Sequence, residues 1–339
     1  MSQSNTPADP GAESSVDTGH LFDEFQAVSR EAWEQKIRKD LKLETDAGYE
    51  KRILWRTAEG FVIQPFYDAA DLNGLESPDA EPGRFPFLRG RSGADNRWEI
   101  REEIYDADPA VANRRALAAL EAGVDSVCFV IAAEGGRMRG VDLTGDVAAA
   151  FQTLLAGVWL DAAPIHFRAG AAAPLIVALL HAEVQRQKLD PARIFGTVDY
   201  DPMRELAEAG ELDTAAAFAT AAALIQFTRE NLPGLRPLAV SDHAPHNAGA
   251  GIVESLALSL AAGNEMLAGL SLARDADGAP ASAPGLLEVC GALSFDVSIS
   301  SNYFMEIARL RAARLLWSRI VLEYAAAASN ATATSGAFE

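Results

Sequence analysis

Between Leu293 and Trp317 the spacing of apolar residues changes period once, and this is the sharpest structural signal in the chain. Leu293, Phe295, Val297 and Ile299 alternate with Ser294, Asp296, Ser298 and Ser300, the two-residue period of a strand with two unlike faces. After Ser300-Ser301-Asn302 the period becomes helical: Phe304, Ile307, Leu310, Arg311, Arg314 and Leu315 recur on one side. Glu306 is placed to reach Arg309 or Leu310 one turn on. With a cap-like Ser-Ser-Asn between the two periods, the segment predicts a strand–loop–helix unit of a βα barrel.

The same rhythm runs through the chain from about residue 80. Strands are predicted at DSVCFVIA (125–132), PIHFRAG (164–170), ARIFGTVDYDP (192–202), RPLAVSDH (236–243) and LSFDVSIS (293–300). Helices are predicted for NRRALAALEAG before the first of these, at about 173–188, near 213–231 and over AGIVESLALSLAAGNEML. An initial strand falls in the Phe85-to-Arg101 region, and NATATSG (330–336) reads as the start of one more, giving about seven strand–helix units. Strands separated by helices indicate parallel pairing, in a barrel or an open sheet. A barrel needs eight strands. The expected fold is therefore a TIM-type (β/α)8 barrel incomplete at its C-terminus, with an N-terminal arm.

Ahead of the barrel, LFDEFQAVSREAWEQKIRKDL predicts an amphipathic helix capped by Ser29, with Trp33, Ile37 and Leu41 on one face. RILWRTAEGFVIQPFY predicts two short strands about a turn at Glu59-Gly60. The expected organisation is a disordered start (1–20), an arm (21–75) and a barrel (76–339), without a cobalamin-binding domain.

Composition narrows the classes. The 339 residues are 49% hydrophobic, enough for a large core. The net charge of −19 disfavours nucleic acid and anionic membrane surfaces, which need clustered Lys and Arg. No leader-like start and no long apolar run is present, so a cytoplasmic location is expected. Cys128 and Cys290 form no CxxC pair and read as core thiols. Neither a GxGxxG nor a GxxxxGK[ST] loop follows a strand.

The most loaded motif is VSDHAPHNAGA (240–250). Asp242-His243-Ala244-Pro245-His246 resembles the DHAPH turn of dihydroorotase-type amidohydrolases, which are metal-dependent barrels. That chemistry needs a His-x-His pair and further ligands. The five histidines here (20, 166, 181, 243, 246) contain no such pair, so the ligand set cannot be completed. His166 on a strand reads as a polar core residue. Thr197, Asp199 and Asp201 lie at the C-terminal end of a strand, where barrels place their sites.

NYFMEIARLRAARLLW (302–317) resembles the signature helix of the methylmalonyl-CoA mutase family, adenosylcobalamin-dependent isomerases of acyl-CoA. The resemblance covers about residues 22 to 336 and is closer to the small, non-catalytic subunit than to the catalytic one. FPFLRG with Arg89 and Gly90, then Trp98, Ile100 and Arg101, resembles the family's proline–aromatic–Arg-Gly and Trp-x-Ile-Arg motif. Catalytic subunits carry an aromatic hydroxyl between those halves, whereas RSGADNR (91–97) has no Tyr. Arg89 and Arg101 then serve either acidic partners within the fold or a CoA phosphate.

His246-Asn247-Ala248-Gly249 likewise resembles the small subunit. Counting back from Ala248-Gly249-Ala250, the catalytic subunit's carbonyl-polarising histidine corresponds to Ala244, whose methyl cannot donate. Glu254, Asn302, Glu306, Arg309, Arg311 and Arg314 match family positions, and GTVDYDP resembles small-subunit members. The DxHxxG loop that ligates cobalamin in the family does not occur.

The resemblance implies a small-subunit-like component of a methylmalonyl-CoA mutase, an isomerase, with no catalytic, cofactor-binding or metal residues of its own. Its partner is expected to be the large catalytic subunit in a heterodimer, holding the adenosylcobalamin, and the family's N-terminal segment wraps that partner. Two alternatives stand beside it: a metal-dependent hydrolase using Asp242, His243 and His246, and a regulatory or chaperone-like interaction module.

Overall fold

A computed structural model describes residues 25, 26, 28–75, 79–93, 97–132, 139–271 and 284–335. The expected disordered start, 1–20, lies outside the described residues. The chain divides into two compact units, one up to Asn73 and one from Gly74.

In the first unit, helix α1 (Arg30–Leu41) begins where Ser29 accepts a hydrogen bond from the Ala32 amide. It ends at Lys42, whose left-handed backbone returns its amide to the last carbonyls. Helix α2 (Asp46–Ile53) follows, capped by Thr45. Strands β1 (Trp55–Arg56) and β2 (Val62–Ile63) then pair antiparallel about Gly60. The sequence pattern anticipates all but α2, a helix of eight residues carrying too few apolar positions to show a period.

The second unit is a parallel sheet with helices between its strands. In chain order it runs β3 (Arg101–Ile104), α3 (Pro109–Glu121), β4 (Ser126–Val130), α4 (Val147–Leu155), β5 (Ile165–Arg168) and α5 (Ala173–Gln187). It continues with β6 (Gly196–Tyr200), α6 (Pro202–Ala209), α7 (Thr214–Asn231), β7 (Leu235–Ser241), α8 (His243–Asn247) and α9 (Ile252–Ser271). The last elements are α10 (Leu286–Ala292), β8 (Leu293–Asp296) and α11 (Tyr303–Ser335). The strands pair in sequence order, β3 to β8, every pair parallel. This is the succession of a βα barrel, and among the described residues it does not close.

Register explains the two faces. Ile104, Phe129, Phe167 and Val198 stand opposite one another on adjacent strands, as do Val240 and Phe295; all but Phe295, which packs against it, belong to the core beneath the helices. One residue before these on their strands, Glu103, Cys128, His166 and Thr197 share a row on the opposite face; the β6–β7 register shifts after Thr197, and Ser241 stands opposite Asp296 farther along β7 and β8. The close approach of β5 to β6 depends on Gly196: with φ +152°, any Cβ there would fall on the Ile165 carbonyl.

Three expectations change. The first strand of the sheet begins only at Arg101, because residues 81–90 are spent on turns around Gly83, Pro86 and Gly90. The strand at 293–300 stops at Asp296, and its last residues leave the sheet toward α11. The strand expected at 330–336 is helical as far as Ser335, since no Gly or Pro interrupts the chain after Tyr303 until Gly336. Among the described residues, no helix is long and apolar enough to cross a membrane.

Candidate functional site

The polar face of the sheet carries a hydrogen-bonded network that reaches from β3 to α11. At one side, His166 on β5 is 3% exposed; its Nε2 lies 2.7 Å from Glu99 and its Nδ1 3.1 Å from the Thr197 hydroxyl. Burial holds this imidazole down at about 4, with Arg101 acting in the same sense and Glu99 against it. It is therefore neutral near pH 7, donating from Nε2 to Glu99 and accepting from Thr197 at Nδ1. Ser126 donates to the same Glu99 carboxylate.

The centre of the network is Arg168, at the end of β5. Its guanidinium lies 2.7 Å from Glu103 and 2.8 Å from Asp296, so one cation ties β3, β5 and β8 together. Burial opposes that charge, yet Asp296 and Glu103 raise its pKa above the ordinary value. Tyr105 donates its hydroxyl to Glu103, and burial first, then that carboxylate, pushes the phenol up to about 12. Asp296 also accepts from His243 Nε2 at 3.1 Å, while His243 Nδ1 meets the Ser298 hydroxyl at 3.1 Å. The Asp296 contact raises the His243 pKa, and burial works against it. Asp199, on the same face, is buried, and that burial raises its carboxyl. Burial likewise pushes the neighbouring Cys128 thiol up to about 12, so it is no thiolate.

At the strand ends, buried carboxylates tie loops and helices to the sheet. Asp242 accepts from the Ser298 amide at 2.7 Å and from Arg309 of α11 at 3.0 Å. Arg309 also donates to the Ser298 carbonyl at 2.6 Å, and its Nε lies 3.3 Å from Glu306. Glu306 reaches back to accept from the Ser300 amide at 3.0 Å, closing the turn that begins α11. Asp201 performs the same service between β6 and β7, accepting from the Arg204 and Ser241 amides. Its burial pushes the carboxyl up to about 6.

The residues singled out from sequence fall in three places. Glu306 belongs to the buried set around Arg309, and His243 to the network on Asp296. Asn302 passes its carbonyl to the Glu306 amide as α11 begins, and Arg311 follows on that helix, half-buried. Around the short helix α8, His246 is half-buried, Asn247 is exposed, and Gly249 turns the chain with φ +100°. Glu254 accepts from the Gly251 amide at 2.9 Å and so caps α9. Away from the network, Arg89 donates to the Ala80 carbonyl at 3.4 Å, Gly90 turns with φ +117°, and Trp98 is 71% exposed. Arg101 pairs with Glu99 at 3.3 Å.

The hydrolase reading finds no support in this geometry. Both Asp242 oxygens are engaged by Ser298 and Arg309, and both His243 ring nitrogens by Asp296 and Ser298. Among the described residues, no group of three or more His, Cys, Asp or Glu side chains is placed to hold a metal. Sequence reasoning missed the organising role of Glu99, Glu103, Tyr105 and Arg168. The signal was present: polar residues at every second position of adjacent strands mark a face turned away from the helices.

The sequence model of the methylmalonyl-CoA mutase family matches residues 56–336. The chain is 36% identical over 316 residues to a methylmalonyl-CoA mutase small subunit of Porphyromonas gingivalis, covering 92% of this chain and 47% of that protein. It is 31% identical to the small subunit of Streptomyces virginiae, covering 88% of this chain and 46% of that one. The large subunit of the same species is 30% identical, over 87% of this chain and 41% of that protein. The chain thus spans about half the length of the curated relatives it matches.

Proposed function

Because the chain belongs to the methylmalonyl-CoA mutase family, we propose that it is a small-subunit-type component of an adenosylcobalamin-dependent mutase that interconverts methylmalonyl-CoA and succinyl-CoA. In this reading the chain is itself non-catalytic, supports a large catalytic subunit in a heterodimer, and works in the cytoplasm. The observation that carries the reading is the Arg168 cluster. Its cation is already shared between Glu103 and Asp296, and His243 is held by Asp296 and Ser298. A face whose charges satisfy one another has little left to polarise a thioester, which needs donors aimed at developing charge. Ala244, where the family resemblance puts the catalytic donor, supports the same conclusion.

The residues present do not fit cobalamin. No DxHxxG loop occurs within the 339 residues, and His166 and His243 have both ring nitrogens engaged. In this reading the cofactor is held by the large subunit, which would supply the radical chemistry. The arm, residues 21–75, is proposed to meet that subunit: Trp33, Trp55, Phe61 and Tyr67 are each close to half exposed or more, an unusual apolar load for a free surface.

The test is co-purification of this chain with a large mutase subunit from the same source, followed by a mutase assay. A stable one-to-one complex, active only when the large chain is present, is expected. Turnover by this chain alone, with adenosylcobalamin and methylmalonyl-CoA supplied, would overturn the non-catalytic reading. Unchanged association after removal of residues 22–70 would take the arm out of the interface.

A further inference from the structure

A cavity of about 250 Å³ opens between α9, β8 and α11, on the helix side of the sheet, and touches the polar network only at the Asp242–Arg309 pair. That is several times the roughly 30 Å³ of one water. Its walls are largely apolar, formed by Leu256, Leu260, Phe295, Leu310, Ala313 and Trp317. The Phe295 and Trp317 rings meet edge to face, their centroids 4.9 Å apart. They sit directly on Gly263, where a Cβ would lie 2.9 Å from both rings. The absence of a side chain at that position is what lets the aromatic pair sit so close to α9.

The polar contribution to the cavity is one-sided in charge. The Asp242–Arg309 pair at its edge is internally neutralised. Arg314, also in the lining, is exposed; it donates to the Leu88 carbonyl at 3.5 Å and has no carboxylate within ion-pair reach among the described residues. Arg311 lies one turn earlier on the same helix, likewise without an acidic partner among the described residues. A greasy cavity with an unneutralised guanidinium in its lining fits a ligand with an apolar body and an anionic head.

We propose that this cavity is a binding site for a medium-chain carboxylate, its hydrocarbon lying against Phe295 and Trp317 and its carboxylate on Arg314. The site borders the polar network only at the Asp242–Arg309 pair, and the inference is independent of any subunit pairing.

The test is calorimetric titration of octanoate and of octanol into the full chain, with tryptophan fluorescence as a second readout. Saturable one-to-one binding of octanoate is expected, with a fluorescence change lost in Trp317→Phe. Ala313→Trp, which fills the cavity, should weaken binding at least ten-fold, and a melting curve checks that it folds. If it does not, Leu260→Phe takes its place. Arg314→Gln should weaken octanoate about two- to five-fold, the scale of an exposed ion pair, and bring it level with octanol. Absence of saturable octanoate binding would overturn the proposal. So would binding unchanged by the filling variants, or equal binding of octanol by the unaltered chain.

Discussion

Arg309 and Asp242 meet at 3.0 Å across 67 positions of sequence, with side chains only 2% and 1% exposed. The first turns of α11 are thereby anchored to the end of β7, through a pair that water scarcely reaches. Breaking one partner of a buried pair leaves the other charge desolvated and uncompensated, which costs about 3–5 kcal/mol. Arg309→Met, which strands Asp242 and also removes the neighbour of Glu306, is expected to lose that amount in urea unfolding. Joint replacement with Asp242→Leu should recover only part of it: the desolvated Asp242 charge is gone, but Glu306 stays buried without its cation and the Ser298 amide loses its acceptor. A single-variant loss below about 1 kcal/mol would show that the pair is not what fixes the helix.

Arg168 gives a different expectation, because its partners Glu103 and Asp296 remain about one-third exposed. Solvent screening limits the loss in Arg168→Met to about 1–2 kcal/mol. The more telling readout is His243. Its pKa is raised first by its hydrogen bond to Asp296, while Arg168 acts to lower it. Removing the guanidinium should therefore raise the His243 titration midpoint in an NMR pH series. A downward movement would contradict the placement of Arg168 beside that imidazole.

Much of this architecture was legible in the sequence. Period-two alternation located β8, the repeating βα rhythm located β4, β5, β6 and β7, and helical spacing with Ser29 as cap located α1. The family resemblance pointed at Glu306 and Arg309, which prove to be buried together. What escaped was pairing across distance. Arg168 finds Asp296 at a separation of 128 residues, and no local pattern encodes that. Boundaries failed where a chain leaves its sheet: Val297 and Ile299 continue the alternation of β8, yet the strand has ended by Asp296 because the Ser298 amide is taken by Asp242. Thr332 and Thr334 suggested a strand, but α11 carries through them because nothing breaks it.

His166 fixes the expected pH response. Its pKa is about 4 in the folded chain and near 6.5 when unfolded, so between those values the unfolded chain holds the extra proton. Stability from this group is thus fully present above pH 6.5 and is lost as the pH falls toward 4. The full window is worth about 3 kcal/mol at most. Urea unfolding between pH 7 and pH 4.5 should show this decline, and His166→Gln, which keeps a donor and an acceptor, should flatten it. An equal decline in the variant would assign the acid sensitivity to other groups.

Gly196 and Gly210 offer a paired test of why two strands can approach. Both have positive φ, +152° and +81°, and an alanine is strained at either. At Gly210, which ends α6, a Cβ would meet nothing within 4 Å, so Gly210→Ala should cost only its backbone strain, about 1–2 kcal/mol. At Gly196 a Cβ would fall on the Ile165 carbonyl, and β5 and β6 would have to separate. That separation would disturb the row carrying His166 and Thr197, whose hydrogen bond spans the same two strands. Gly196→Ala is therefore expected to cost more than about 3 kcal/mol, the sum of strain and displaced packing. Its His166 resonance should also shift, whereas Gly210→Ala should leave it in place. Equal losses from the two substitutions would mean that backbone strain alone governs, and that the strand approach at Gly196 is not under close constraint.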